Sequence, residues 1–239
     1  MVAILEKIKL VITEERMVHV CNHIGESHID DIHCREFMFE KGKIYGLVGE
    51  HGSGGESISS LLTGRIHLNG NIIYVDDAKL DEGVIQNFGW YVGKSEYAKG
   101  LIKKEISVKR AIEIAIKEYH RYASIDEVVT DFHLSSGKIN YELSKYSGER
   151  LRASLAIGYA SNRIIYCFPW MNTLYFHDII LSSGVFRFFK KLKREGCIII
   201  LPTSRKENVI GMVDEVIEIG NPKFDNMISQ HPYFIEHFQ

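Results

Sequence analysis

The sequence lacks the features of a membrane-spanning or secreted chain. Its 239 residues contain no apolar run of the roughly 18 to 20 residues that a bilayer-spanning helix needs. The opening M-V-A-I-L-E-K-I-K has early charges and no small-residue cleavage site, so we expect no secretory signal. The four cysteines form no C-x-x-C pair, which argues against a disulfide framework and favours free thiols in a reducing cytoplasm.

The sequence also has little net charge and few prolines. The net charge of −2 gives no bulk attraction to nucleic acid, and the basic run K-K-L-K-R at 190–194 fits the solvated end of an amphipathic helix. We therefore predict no nucleic-acid partner. Only four prolines occur and no low-complexity linker interrupts the chain, whose 45% hydrophobic and 25% charged content is typical of a folded globular protein.

Apolar strands alternate with helices along most of the chain. Runs typical of strands lie at 7–13, 17–24, 37–40, 43–49, 69–75, 163–168, 197–203 and 214–220. Helical spacing dominates 106–132 and returns at 151–160 and 183–196. We predict an α/β fold with a mainly parallel sheet, an N-terminal antiparallel β-layer and an inserted helical lobe.

A glycine-rich segment, G-E-H-G-S-G-G-E-S, lies between a buried-strand pattern and a helix that we expect to end at Gly64. Its glycines have the spacing of a phosphate-binding loop, in which backbone N–H groups and a helix N-terminus converge on an anion. The alternative is a strand-to-helix turn that needs flexible residues and binds nothing. The candidate anion-binding residues are Gly49, Gly52, Ser53, Gly54, Gly55, Glu56 and Ser57.

With four later segments, this loop makes the chain resemble the nucleotide-binding subunit of an ABC transporter. L-S-K-Y-S-G-E-R-L-R-A-S-L-A (143–156) is similar to the signature segment, and R-I-I-Y-C-F (163–168) to the Walker B strand. E-G-C-I-I-I-L-P-T-S (195–204) and V-D-E-V-I-E-I-G (213–220) are similar to the switch strand and the closing strand. The resemblance implies a P-loop NTPase-like core and one nucleotide-binding domain over 1–239. Its parts would be an α/β core with β-layer at 1–94 and 155–239, and a helical lobe at 95–154.

The resemblance also implies ligands and partners. ATP and Mg²⁺ would be the ligands. The partners would be a membrane-spanning transporter subunit and a second ATP-binding subunit, in a homo- or heterodimer. The chain would then lie in the cytoplasm, peripheral at the inner face of the cell membrane through its partner.

Two positions that bind the phosphates and Mg²⁺ in the family's loop hold different residues in this sequence. Gly55 replaces the lysine that neutralises the outer phosphates, and Glu56 replaces the Mg²⁺-binding serine or threonine. Ser57 supplies a hydroxyl one position late. We expect Glu56 to repel a phosphate and to weaken binding by two or more orders of magnitude, since about 1.5 to 3 kcal/mol of charge-assisted contact is also lost.

The Walker B carboxylates are missing in either register of the resemblance. One register places Pro169 and Trp170 at the acidic positions, the other Phe168 and Pro169, and the nearest acid is the more distant Asp178. The switch histidine is replaced by Ser204.

Two further positions of the family's site are changed. The glutamine that binds Mg²⁺ is replaced by Lys94, and His23 is the best match to an aromatic residue that would stack on the base. We therefore predict no catalytic residues, and weak or absent binding of ATP and Mg²⁺.

The signature segment keeps more of its pattern. Ser147 and Gly148 match the residues that contact ATP on the opposite subunit, while Glu149 replaces the next glycine or glutamine. A register shifted by one residue would place Tyr146 at the serine position. Ser147 is also a good N-cap for the following helix, and both interpretations stay open.

Two groups of side chains could indicate a metal-binding site, but each has a simpler interpretation. Histidines and cysteines crowd into the β-layer without the second half of a zinc pattern, so we expect no metal site; they are His19, Cys21, His23, His28, His33 and Cys34. Asp30-Asp31 and Asp76-Asp77 are best interpreted as turn acids.

The sequence therefore predicts a degenerate nucleotide-binding subunit, impaired at its own site. Two alternatives stay open. One is a regulatory or scaffold module on the same fold, and the other is a divergent NTPase that uses acids not recognised from the motif.

Overall fold

The computed structural model describes residues 5–81, 83–97, 104–146 and 148–220. Its strands are β1 Lys7–Ile12, β2 Arg16–Cys21, β3 Ser27–Ile32, β4 Arg35–Glu40, β5 Ile44–Val48, β6 Asn71–Val75, β7 Ala78–Lys79, β8 Gly89–Tyr91, β9 Ile165–Cys167, β10 Ile198–Thr203 and β11 Glu215–Glu218. The α-helices are α1 Gly55–Leu62, α2 Val108–Tyr119, α3 Ile125–Asp131, α4 Arg150–Ala160, α5 Thr173–Phe176 and α6 Phe189–Arg194. A π-helix at His177–Ser182 continues α5, and 3₁₀ turns lie at Val84–Asn87, Leu143–Lys145, Val185–Phe188 and Lys206–Asn208.

The central sheet is parallel and five-stranded, in the order β11-β5-β10-β9-β8. Every described pairing in it is parallel, and all six residues of β10 are buried because both faces of the sheet are covered. A four-stranded antiparallel sheet, β4-β1-β6-β7, forms the predicted β-layer. The predicted fold class is confirmed.

Two apolar clusters hold these layers together. One packs the β-layer and α1 against one face of the parallel sheet, and includes Phe39 and Leu47. The other covers the opposite face with the helices and includes Phe132 and Phe168. Among the described residues, no helix is long and apolar enough to cross a bilayer.

Serine caps fix where the first two helices of the helical lobe begin. The side chain of Ser107 accepts the Arg110 N–H at the start of α2, and Ser124 accepts the Glu127 N–H at the start of α3. Both helices contact α4, so the lobe and the core meet along that helix. The predicted boundary at 154/155 falls inside α4.

Several local predictions are wrong. The largest error concerns Asp30 and Asp31, which the sequence predicts as turn acids. They lie in β3, which pairs antiparallel with β2 in a separate two-stranded sheet. Helix α1 ends at Leu62 with Thr63 as its C-cap, one residue before the predicted Gly64, which follows with a left-handed φ of 66°. The predicted helix over 183–196 is a 3₁₀ turn followed by the short α6. Helix α4 has Glu149 at its N-cap position, and Ser147, for which an N-cap role is one of two open interpretations, lies outside the described residues.

Candidate functional site

The predicted phosphate loop lies between β5 and α1, at the carboxyl edge of the parallel sheet. The Gly49 N–H donates to the Thr203 carbonyl (3.0 Å), which ties the loop to the end of β10. Gly52 and Gly54 have φ of 85° and 100°, a left-handed conformation that favours glycine. The Ser53 hydroxyl donates to the Glu50 carbonyl within the loop (2.6 Å). The glycine spacing therefore reflects real backbone requirements.

The space beside Gly55 is filled by Trp170, which follows β9, and by Pro202 of β10. A Cβ at Gly55 would lie 3.0 Å from Trp170 Cδ1 and 3.1 Å from Pro202 Cβ, tighter than most real contacts. The Trp170 indole also donates its Nε1–H to the Gly49 carbonyl (3.0 Å). Trp170 thus packs where the family's lysine side chain would begin.

The Glu56 side chain is turned into the protein. It is 0% exposed, accepts the Trp170 N–H (2.8 Å) and accepts the Tyr91 hydroxyl. An Arg65 guanidinium nitrogen lies 3.5 Å from Glu56 Oε1. Burial raises the pKa of Glu56, although these donors oppose that rise. The expectation that Glu56 confronts a phosphate is corrected, because its carboxylate is held by interior donors.

A second carboxylate lies at the N-terminus of α1. Asp30 of β3 is 1% exposed, and its Oδ2 accepts the Ser57 N–H (2.7 Å). His28 Nε2 lies 3.1 Å from Asp30 Oδ1. Asp30 is therefore not a turn acid but an interior residue bonded to the phosphate loop. The Ser57 hydroxyl is itself buried and has no hydrogen-bond partner among the described residues.

The Walker B positions carry no carboxylate in either register. The Phe168 carbonyl accepts the Ser59 hydroxyl (2.7 Å), and both Phe168 and Pro169 are buried. At the switch position, the Ser204 N–H donates to the Met171 carbonyl (3.1 Å). These segments hold the fold together through backbone groups.

His23 is buried under neighbouring segments and does not present a free stacking face. It is 8% exposed, and its Nε2 lies 2.7 Å from the Tyr175 hydroxyl. Burial, together with the charges of Arg150 and Arg65, lowers the pKa of His23 to about 3. The Arg150 guanidinium donates to the His23 carbonyl and to the Gly93 carbonyl.

The remaining predicted residues are scattered. Lys94 is exposed, and Gly148 has φ of 69° with open space where a Cβ would be. Glu149 accepts the Ser135 hydroxyl (2.6 Å) and N–H (3.1 Å). Although burial opposes it, these hydrogen bonds lower the pKa of Glu149. Within the described ranges, no group of three His, Cys, Asp or Glu side chains has a metal-site arrangement.

Two observations bear on whether this loop could hold ATP with its Mg²⁺. A triphosphate needs a cation at Gly55, where Trp170 and Pro202 leave no room without a shift. It also needs the α1 N–H groups, one of which already has a carboxylate acceptor. The sequence motif missed Asp30, Tyr91 and Arg65 because their contacts with the loop come from distant parts of the chain.

The curated relatives are ATP-binding proteins of low identity, and no protein-family model matches the chain. Methionine import ATP-binding protein MetN 1 of Pseudomonas fluorescens is 22% identical over 215 residues, which are 86% of this chain and 63% of that protein. Ribose import ATP-binding protein RbsA of Caldanaerobacter subterraneus is 21% identical over 216 residues, 81% of this chain and 42% of that protein. The chain therefore spans less than two thirds of these two relatives. Energy-coupling factor transporter ATP-binding protein EcfA1 of Thermotoga maritima is 26% identical over 191 residues, 78% of this chain and 71% of that protein.

Solved structures show the same architecture. A dimeric post-hydrolysis structure of the ATP-binding cassette MJ0796, bound to ADP and Pi, has a TM-score of 0.61 at 16% identity and covers 88% of this chain and 93% of that one. The ADP conformation of MJ1267, an ATP-binding cassette of an ABC transporter, has a TM-score of 0.58 at 13% identity and covers 97% and 98%. The relatives are import or transporter ATP-binding proteins, the two solved structures are ATP-binding cassettes, one of them of an ABC transporter, and the chain has their P-loop NTPase-like fold.

Proposed function

We propose that this chain is a degenerate nucleotide-binding subunit of an ABC-type transporter. It works in the cytoplasm at the inner face of the membrane, beside a membrane-spanning subunit and a second ATP-binding subunit. Its own site binds Mg-ATP weakly or not at all and does not hydrolyse it. Curated relatives that are import or transporter ATP-binding proteins support the family part of this proposal.

The packing of Trp170 carries the proposal of an impaired site. Its ring fills the space beside Gly55, and its Nε1–H bonds the Gly49 carbonyl (3.0 Å). A cation that neutralised the outer phosphates would have to displace this ring. Phosphoryl transfer depends on such charge stabilisation, so loss of the cation and of the Walker B carboxylates together removes the basis for catalysis.

A divergent NTPase is the second candidate, because two buried acids do lie near the loop. Asp30 and Glu56 could in principle replace the missing carboxylates. Glu56, however, accepts the Trp170 N–H and the Tyr91 hydroxyl, and Asp30 accepts the Ser57 N–H. Both acids are committed to donors of the protein itself, which favours the degenerate subunit.

Calorimetric titration of the purified chain with Mg-ATP, followed by a phosphate-release assay, tests the impaired site. We expect no micromolar binding and no turnover. Turnover that Glu56→Ala abolishes and Glu50→Ala preserves would establish the divergent NTPase instead. Glu50 is an exposed acid of the same loop, so it controls for a general change in charge.

Co-purification from native membranes tests the partners. A membrane-spanning subunit that accompanies the chain supports the transporter role. Its absence, with other proteins bound in its place, would support a regulatory or scaffold module on the same fold.

A further inference from the structure

Strands β2 and β3 and the turn between them form a hairpin over residues 16–32, here called the capping hairpin. Among the described strands it pairs with neither of the larger sheets, and it lies instead on the phosphate loop. The Asp31 N–H donates to the Gly52 carbonyl (2.7 Å). The ring centroids of His28 and His51 are 4.2 Å apart. One end of the hairpin is therefore bonded to the loop itself.

The other end of the hairpin reaches the segments that follow β8 and β9 and the start of α4. Arg150, the first residue of α4, donates to the His23 carbonyl, and the Tyr175 hydroxyl lies 2.7 Å from His23 Nε2. Arg65 beyond α1 donates to the Cys21 carbonyl (2.7 Å). The hairpin thus spans the surface outside the carboxyl ends of β5, β8 and β9, where ligands of open α/β sheets bind.

We propose that the capping hairpin is an intramolecular occupant of the nucleotide face, with the Asp30 carboxylate in the place of a phosphate group at the Ser57 N–H. A phosphate-bearing ligand then reaches the loop only when the hairpin is displaced. The proposal goes beyond an impaired site, since it assigns the occupant. It rests on the proposed function only in taking the loop as a phosphate site.

The chemistry of the contact matches that of a bound phosphate. A phosphate at a helix N-terminus accepts backbone N–H groups that have no intrahelical partner and gains from the helix dipole. The Asp30 carboxylate does the same, with Oδ2 on the Ser57 N–H at 2.7 Å and the side chain 1% exposed. A free phosphate and the carboxylate cannot use this donor together, so they compete.

The glycines of the loop also make close contacts with the hairpin. A Cβ at Gly52 would lie 3.1 Å from the Ile29 carbonyl, and one at Gly54 would lie 3.0 Å from Ile32 Cγ2. Strand β3 therefore covers both glycines on the side where a Cβ would project. A carboxylate that served only as a helix cap would not require this coverage of the loop.

A titration with inorganic phosphate tests the capping hairpin. The NMR signals of the Ser57 and Asp31 amides are monitored at each phosphate concentration. In the parent chain we expect no change at either signal in the millimolar range. In Asp30→Ala we expect the Ser57 signal to shift with an affinity at least ten-fold tighter than any in the parent. Hydrogen exchange of the Asp31 amide should then accelerate as phosphate displaces the hairpin from Gly52.

Asp126→Ala is the matched control, because Asp126 lies in the first turn of α3 but is exposed. It should behave as the parent chain does. Asp30→Asn keeps the shape of the side chain and serves where Asp30→Ala fails to fold, with a smaller gain in phosphate affinity. Equal phosphate affinity in the parent and in the Asp30 variants, or no phosphate binding in any of them, would overturn the proposal. Neither result bears on ATP turnover, so failure of the cap and of the impaired-site proposal can be told apart.

Discussion

Glu56 gives the sharpest test of how the loop is built. In Glu56→Ala the Trp170 N–H and the Tyr91 hydroxyl each lose a buried acceptor. Hydrogen bonds to a charged group contribute about 1.5 to 3 kcal/mol each. Burial of the carboxylate offsets part of that gain, because it raises the pKa of Glu56 and disfavours the charged form. We expect a net loss of about 2 to 4 kcal/mol in the free energy of unfolding.

Urea unfolding followed by tryptophan fluorescence measures this loss, with Glu50→Ala as the control. Glu50 is exposed in the same loop, and removal of an exposed acid near a helix N-terminus costs only about 0.3 to 1 kcal/mol. If Glu56→Ala and Glu50→Ala lose the same small amount, then the Glu56 carboxylate is solvated, and our account of an interior acceptor is refuted.

The pH dependence of Glu56→Gln adds a second readout to the same test. Because the folded pKa of Glu56 lies above its ordinary value, the folded state binds this proton more tightly than the unfolded state. The stability that the parent draws from the protonated carboxyl is full below the ordinary pKa and declines as pH rises through the raised one. The parent should therefore lose stability relative to Glu56→Gln over that window. A parallel pH profile of the two proteins would contradict the raised pKa.

Two further predictions concern neighbouring positions. Gly55→Ala should cost about 1 to 3 kcal/mol of stability through contact with Trp170, whereas Gly137→Ala, which has open space around it, should be nearly neutral; equal effects in denaturant melts would exclude the crowding. Burial of His23 lowers its pKa to about 3, so the folded state binds this proton less tightly than the unfolded state. The free energy of unfolding should therefore fall as pH drops below 6.5, by about 2 kcal/mol at pH 5 relative to pH 8. His23→Gln should remove this slope, and an unchanged slope would show that other groups cause it.

The sequence predicts the parallel sheet and the glycine turns because their causes are local. Strand β10 begins with four consecutive apolar residues, and Gly52 and Gly54 of the loop have a left-handed φ that other residues rarely adopt. The serine N-caps of α2 and α3 likewise depend only on neighbouring residues. These features need no knowledge of distant contacts.

Strand β3 could not be predicted in the same way, because it contains a buried acid, Asp30. In S-H-I-D-D-I, Asp30 breaks the apolar alternation that marks a half-buried strand, and adjacent acids usually indicate a turn. Its acceptor role depends on the Ser57 N–H, 27 residues away in sequence. Glu56 is similar, since Tyr91 lies 35 residues from it. A polar residue whose partner is distant looks, in sequence, like a solvated one.

The capping hairpin and a second subunit would compete for one surface of this fold. A phosphate-bearing ligand shared with a second subunit across this face would need the Ser57 N–H, which Asp30 holds, and access to the start of α4, where Arg150 holds the hairpin tip at His23. These two contacts lie at opposite ends of the hairpin, which is also held by the Asp31–Gly52 and Arg65–Cys21 hydrogen bonds. Pairing through this face would therefore require the hairpin to be released along its whole length. A partner that binds the chain without releasing the hairpin must use another face, and the exchange rates of the Ser57 and Asp31 amides in the assembled complex distinguish the two arrangements.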